Sequence, residues 1–337
     1  MSVSTLDPST VTIVGLRCEA ARRLGCEVRN LDPETGYLYE VRRGDLRRLL
    51  FGGKSPLNDA VAARLAGDKF HTALALADRG LRVPAMTRCL QPGHFRPGDY
   101  PEQEGFSPAE RFVEAHGLPV VVKPNAGSRG RDISVIEDRA DLVPAIEQVW
   151  QRDYLALIQE PIDGFDLRVD LLDGQSLFAY TRQPVRIEGD GQSTVRELFA
   201  GLDRRFRGET FERHLLGDAL WREHAEAAGG LDLDHVLDAG WSIGFDTPIL
   251  NLNRLCLGQR LDPVPEPWLD LVRGIADAMH LRHIGVDLKI HALDQDPNDA
   301  VVIEVNASPS LVHMARTGHF EDAVAAEMRV VAAALGE

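Results

Sequence analysis

Residues 120–136 read VVVKPNAGSRGRDISVI. Two apolar runs rich in β-branched residues flank a loop bounded by Pro, Asn and Gly, which is the pattern of two strands joined by a turn. Gly127 and Gly130 would let backbone N–H groups come close to a phosphate. Lys123, Arg129 and Arg131 can bring positive charge to the same place. A solvated hairpin loop also explains one basic glycine loop taken alone. The remainder of the chain decides between the two.

The loop sits inside a longer alternation. LPVVVKP, ISVIE and YLALIQEPI read as strands, with ADLVPAIEQVW as a helix between the last two. On the N-terminal side, Ser107-Pro108-Ala109-Glu110 reads as a capping box with proline at the first helical position, and that helix should stop at Gly117. Residues 89–106 are rich in Pro and Gly and non-periodic, a surface loop or linker. Asp68 reads as the N-cap of a helix from Lys69 to Arg79, with Gly80 beyond it. Asn58–Leu65 reads as a short helix. VTIVGL (Val11–Leu16) reads as a buried strand leading into a helix that ends near Gly25, and CEVRNL and YLYEVR as two more strands.

On the C-terminal side, DLRVDLLDGQSLFAYTRQPVRI carries Asp173-Gly174 as a hairpin signal. Period two puts Asp166, Arg168 and Asp170 on one face, and Leu167, Val169 and Leu171 on the other. Thr194-x-x-Glu197 can cap a helix. Residues 203–245 are mixed helix and loop. Pro267–Leu281 is an amphipathic helix, HIGVDLKIHAL and AVVIEVNAS form a hairpin, and Phe320–Leu335 closes the chain as a helix. No internal repeat is visible.

With 337 residues and 44% hydrophobic composition, the chain can bury more than one core, so two or three subdomains are expected. No apolar run reaches the roughly 20 residues of a membrane helix, and the N-terminus MSVSTLDPST does not read as a secretory signal. Cys18, Cys26, Cys89 and Cys256 are scattered, which fits reduced thiols in a cytoplasmic protein. A net charge of −15 argues against a nucleic-acid surface and against anionic lipid, while leaving room for a local basic pocket around a polyanion.

Some motifs carry little. GGKS (Gly52–Ser55) lacks the earlier glycine of a P-loop, because Arg48 stands there. His280 and His283 read as helix-end histidines without further zinc ligands. IEVNAS (Ile303–Ser308) says more. Glu304 and Asn306, two apart in a strand, face one side roughly 7 Å apart, and Val301, Ile303 and Val305 face the other. A carboxylate and an amide oxygen so aligned suit a hard cation such as Mg2+. Asp287, in the neighbouring strand, supplies a second carboxylate. A solvated polar face is the alternative.

Taken in order, Lys69, Lys123, the glycine loop, Gln159-Glu160-Pro161-Ile162, Asp166, Asp287 and Glu304-x-Asn306 resemble the ATP-grasp superfamily. The resemblance covers about residues 50–337. TRQPVRIEGDGQSTVRELF is similar to a segment of cyanophycin synthetase and bifunctional glutathione synthetase, and EVNASPSL to the terminal metal-binding strand. The nearest branch is that of cyanophycin synthetase, glutathione synthetase and the ribosomal-protein glutamate ligase.

The resemblance implies an α+β fold: two α+β subdomains sandwiching ATP, behind a short α/β N-terminal domain. Residues 1–66 would be that domain and 67–337 the ATP-grasp part, with a central lid subdomain over about 107–160 and a C-terminal subdomain over about 161–337. It implies an ATP-dependent carboxylate–amine ligase acting on amino acids or small peptides through an acyl phosphate. Addition of amino acids to a peptide or protein terminus, or a phosphotransferase on the same fold, are the alternatives. ATP and two Mg2+ are the implied cofactors, with Mn2+ as a substitute ion, and a homo-oligomer is one arrangement. By resemblance, Lys69 and Lys123 contact the α- and β-phosphates, and Ser128, Arg129 and Gly130 cover the γ-phosphate. Gln159, Glu160, Pro161 and Ile162 frame adenine, Asp166 binds ribose, and Asp287, Glu304 and Asn306 hold metal. Arg182, and secondarily Arg186, would stabilise the acyl phosphate. The chain departs from close relatives in NLNRLCLGQRLD, where Asn253 and Gly258 match but Leu257 replaces a glycine, and at Ser310. Both departures bear on the acceptor.

Overall fold

A computed structural model describes residues 7, 10–127, 132–203, 206–216, 219–227, 230–245 and 256–337. The first unit begins with helix α1 (Ile13–Arg23), not the strand that VTIVGL suggests. Thr12 explains the difference: its side chain accepts from the Gly15 N–H and caps the helix. Strands β1 (Glu27–Asn30), β2 (Leu38–Arg43) and β3 (Leu46–Phe51) then form an antiparallel sheet. The third strand, LRRLLF, with two arginines and three leucines, shows no clean alternation in sequence.

Helix α2 (Ala60–Ala66) is capped by Asp59. Helix α3 (Lys69–Asp78) is capped by Asp68, whose carboxylate takes the His71 N–H at 3.0 Å. A second sheet follows, built from β4 (Met86–Leu90), β5 (Val120–Pro124), β6 (Ser134–Ile136) and β7 (Leu155–Gln159) in the order β4-β7-β5-β6. Helices α4 (Ser107–His116) and α5 (Leu142–Trp150) share a core with it that includes Phe112, Val120, Val122, Ile146 and Ile158. Helix α4 starts at Ser107 and stops at Gly117 as expected, but Phe106 is its N-cap and no side-chain cap bond forms. Starting one residue early puts Ser107 inside the helix, where its hydroxyl cannot cap.

The third unit is a five-stranded antiparallel sheet. It contains β8 (Phe165–Leu172) and β9 (Gln175–Pro184), joined by the Asp173-Gly174 turn with φ of 48° and 74° at its two residues. After β9 the chain leaves the sheet for β10 (Arg186–Glu188), α6 (Val195–Leu202), α7 (Glu209–Leu216), α8 (Ala219–Ala227) and β11 (Ser242–Gly244). The Thr194/Glu197 capping box that starts α6 is complete. This excursion has its own core around Phe199, Trp221 and Phe245. The chain re-enters the sheet as β12 (Cys256–Arg260), beside β9. Helix α9 (Glu266–Met279), β13 (His283–Ile290), β14 (Val301–Asn306), α10 (Val312–Arg316) and α11 (Phe320–Leu335) complete it. His280 is the left-handed C-cap of α9, whereas His283 opens β13, so the two do not share a helix end.

The faces of this sheet differ sharply. Leu167, Val169, Leu171, Val286 and Leu288 pack with Val272 and Ile275 of α9 in one core. The opposite face carries Phe178 and Tyr180, which join Tyr39, Val41 and Val324 in a second core, and the charged residues described next. A bulge corrects the reading of IEVNAS. Asp287 pairs with Glu304, but Leu288 pairs with Val302, skipping Ile303. Val302 and Val305 therefore share the apolar core, whereas Val301 pairs with Lys289 on the other side of the break.

Candidate functional site

The strand register aligns charge on one face of β8, β9 and β13. Asp166 pairs with Arg182 and Lys289, and Asp287 pairs with Arg168, each in neighbouring strands. The result is a buried chain of alternating charge. Lys289 Nζ lies 2.8 Å from Asp166 Oδ1, and Arg182 Nη1 donates to Asp166 Oδ2 at 3.1 Å. Arg182 Nη2 reaches Asp287 Oδ1 at 2.6 Å. Arg168 Nη1 reaches Asp287 Oδ2 at 2.7 Å, and its Nε reaches Asp170 Oδ1 at 2.5 Å. Burial opposes ionisation of Asp287, yet Arg168 and Arg182 together hold its carboxyl below the usual range. Asp170 and Asp166 shift the other way, pushed up by burial against their cationic partners.

Asp287 joins this chain to a second group. Asn306 Nδ2 donates to Asp287 Oδ2 at 3.2 Å, and Glu304 is the direct cross-strand partner of Asp287. Glu304 Oε1 lies 3.7 Å from Lys69 Nζ. Lys69 also donates to the Gly127 carbonyl at 3.0 Å, so α3 grips the start of the glycine loop. Lys123, on β5, is buried, and burial together with the Lys69 charge pushes its pKa down to about 8, with Glu304 acting the other way. The structure thus gathers Lys69, Lys123, Arg182, Asp287, Glu304 and Asn306 from five elements. The donor set of Asp287, Glu304 and Asn306, two carboxylates and an amide, fits a hard divalent cation.

Other expected residues sit differently. Ser128, Arg129, Gly130, Arg131 and Asn253 lie outside the described residues. Gln159 is buried at the end of β7, and its side-chain amide donates to the Glu160 carbonyl at 3.3 Å. The Glu160 N–H donates to Ala85 and its carboxylate takes the Ala85 N–H at 2.7 Å, so its backbone N–H is committed. Pro161 and Ile162 are half-buried just beyond it. Asp166, expected at the ribose, is buried, with one oxygen facing Lys289 and the other Arg182. Arg186 is exposed at the start of β10 and pairs with Gly244.

Sequence reasoning missed four contributors. Asn125 is buried and ties β5 to α3, its Oδ1 taking the Phe70 N–H at 2.9 Å. Arg168 and Asp170 were legible as one face of β8 but not as partners of Asp287. Lys289, two residues from Asp287, shares its face by the same period-two rule.

The architecture of a four-stranded sheet and a five-stranded antiparallel sheet is similar to that of known structures. Similarity to the bifunctional glutathione synthetase from Pasteurella multocida covers 90% of this chain and 41% of that one, with a TM-score of 0.57 at 20% identity. The chain has the ATP-grasp fold. No family model matches it. Among curated proteins, this chain is 25% identical over 332 residues to the glutathione biosynthesis bifunctional protein of Mannheimia succiniciproducens, covering 92% of this chain and 41% of the relative. It is 24% identical over 269 residues to the cyanophycin synthetase of Geminocystis herdmanii, covering 76% and 29%. The chain therefore spans less than half the length of these relatives.

Proposed function

We propose that this chain is an ATP-dependent carboxylate–amine ligase that joins amino acids or small peptides and releases ADP and phosphate. The observation that carries the reading is the continuous contact path from Lys69 through Glu304 and Asp287 to Arg182, with buried Lys123 alongside. Such a site places two lysines and an arginine around a pair of carboxylates, an arrangement suited to a polyphosphate with divalent cations. The fold and the curated relatives support the same reading.

In the proposed reaction, an oxygen of the substrate carboxylate attacks the γ-phosphorus of ATP and ADP leaves. The amine nitrogen then attacks the acyl carbon, the C–O bond to phosphate breaks, and the amine loses a proton. Lys69 and Lys123 offset phosphate charge. Arg182, held by Asp166 and Asp287 with its side chain 14% exposed, would stabilise the developing acyl phosphate. Asp287, Glu304 and Asn306 would hold Mg2+, two ions in our reading, which supplies Lewis-acid neutralisation of the phosphoryl oxygens. The Glu160 carbonyl and the Ile162 backbone would meet adenine. All four cysteines are free, in keeping with a reducing cytoplasm.

The test is phosphate release with Mg2+ and ATP across a matrix of carboxylates and amines, with mass spectrometry of active mixtures. Release that needs both partners, with a product of their summed mass less water, establishes the ligase. Amine-independent ADP formation with phosphate retained on the product replaces it with a phosphotransferase. Activity only with a peptide or protein terminus moves the acceptor to that class.

A further inference from the structure

Arg168 occupies an unusual place. It is buried on β8, with Asp170 holding its Nε and Asp287 its Nη1. The only glycine of β13, Gly285, lies beneath it. A Cβ built on Gly285 would come within 2.2 Å of Arg168 Nη2 and 2.3 Å of Asp170 Oδ1. Gly285 does not have positive φ, so space and not backbone conformation demands glycine there. A glycine in a central strand weakens it and marks a close approach of another group. Here that group is the guanidinium.

Stability gives little reason to keep this arrangement. A buried ion pair adds no more than well-packed apolar side chains of the same volume. What the arrangement does supply is direction. Anchored by Asp170 and seated over Gly285, Arg168 cannot follow its partner, so the Oδ2 side of Asp287 is fixed. Arg182, on the Oδ1 side, is less confined: its side chain is 14% exposed against 8% for Arg168.

We propose that Arg168 is a positioning residue that orients the Asp287 carboxylate toward the cation, with Asp170 and Gly285 as its mount. The proposal rests on the ligase reading of the same site. Its signature is a coupling between Gly285 and Arg168 that a merely structural role would not produce.

The experiment measures Mn2+ binding in the presence of a non-hydrolysable ATP analogue, by electron paramagnetic resonance of free Mn2+, with the folded fraction checked by thermal unfolding. The set is wild type, Gly285→Ala, Arg168→Lys and the double variant. Loss of such an outer partner costs about tenfold or more in metal affinity, so each single variant should weaken Mn2+ binding by about that factor. The Gly285→Ala penalty should shrink in the Arg168→Lys background, because the guanidinium, one of the two groups the added methyl would meet, is no longer there. If Gly285→Ala does not fold, Asp170→Asn loosens the mount without adding bulk and should give the same loss. Unchanged Mn2+ affinity with lowered thermal stability, or losses that multiply in the double variant, overturns the positioning role alone. No Mn2+ binding by the wild type overturns the metal reading and this proposal together.

Discussion

Lys123→Met tests the electrostatics of the site through the ligand-free protein. Lys123 is buried beside Lys69, and its pKa falls from the ordinary 10.5 to about 8. That drop corresponds to about 3 kcal/mol of unfavourable interaction for the charged form. At pH 7 the lysine is protonated in both folded and unfolded chains, so the full cost is present. Between about 8 and 10.5 the folded chain binds fewer protons than the unfolded one, so stability rises with pH across that window. Methionine fills a similar unbranched volume without charge. Lys123→Met should therefore raise the unfolding midpoint at pH 7, by on the order of 2–6 °C, and the gain should shrink toward pH 10. The same variant should lose the stabilisation that MgATP gives the wild type, which is about 2.7 kcal/mol at a hundredfold excess over Kd. Thermal unfolding with and without nucleotide, at pH 7 and pH 10, reads all of this. A variant less stable than wild type at pH 7, or a gain undiminished at pH 10, refutes the account of a lysine held at electrostatic cost for the nucleotide.

Other expected outcomes are simpler. Glu304→Ala should abolish ADP formation while circular dichroism stays native, and unchanged turnover would sink the metal assignment. His283 is buried near Arg17 and Arg168, and burial first, then those charges, push its pKa down to about 3. The unfolded chain then binds more protons between about 3 and 6.5, so stability falls on acidification through that window, and His283→Asn should flatten the slope in urea titrations at several pH values. Trp221→Ala should cost about 3–5 kcal/mol within its own core, and limited proteolysis should cut between residues 185 and 256 while MgATP binding persists. Asp68→Ala removes the cap of α3 and should cost about 1 kcal/mol, seen as a lower unfolding midpoint.

Much of the fold was legible because local signals agreed. The Asp68 cap, the Asp173-Gly174 turn, the Thr194/Glu197 box and the final helix each combine a start or stop residue with a matching period. VTIVGL misled because a run of apolar residues is strand-like until Thr12 is recognised as a cap. Strand β3 went unread because its arginines and leucines do not alternate, and the bulge at Ile303 broke the expected faces of β14. At the site, Glu304 and Asn306 were read from strand period and Asp287 from the neighbouring strand, whereas Lys69, on a helix, entered only through the resemblance. Arg168 and Asp170 needed the register between β8 and β13, which no sequence window contains. The buried pair of Arg17 and Glu327, 2.9 Å apart, spans nearly the whole chain and left no local trace.

The excursion that begins after β9 leaves from Pro184 and returns at Cys256, and these two residues are cross-strand partners. Antiparallel partners stand roughly 5 Å apart, a gap that a two-residue hairpin turn closes. Excising the segment would leave the five-stranded sheet joined as a plain meander of β8, β9 and β12. Loop length adds only slowly to the entropy of closure, so segments of quite different size can be grafted at the same two ends. The sheet and its charged face therefore need only that these two ends meet, whatever the length of the segment between them.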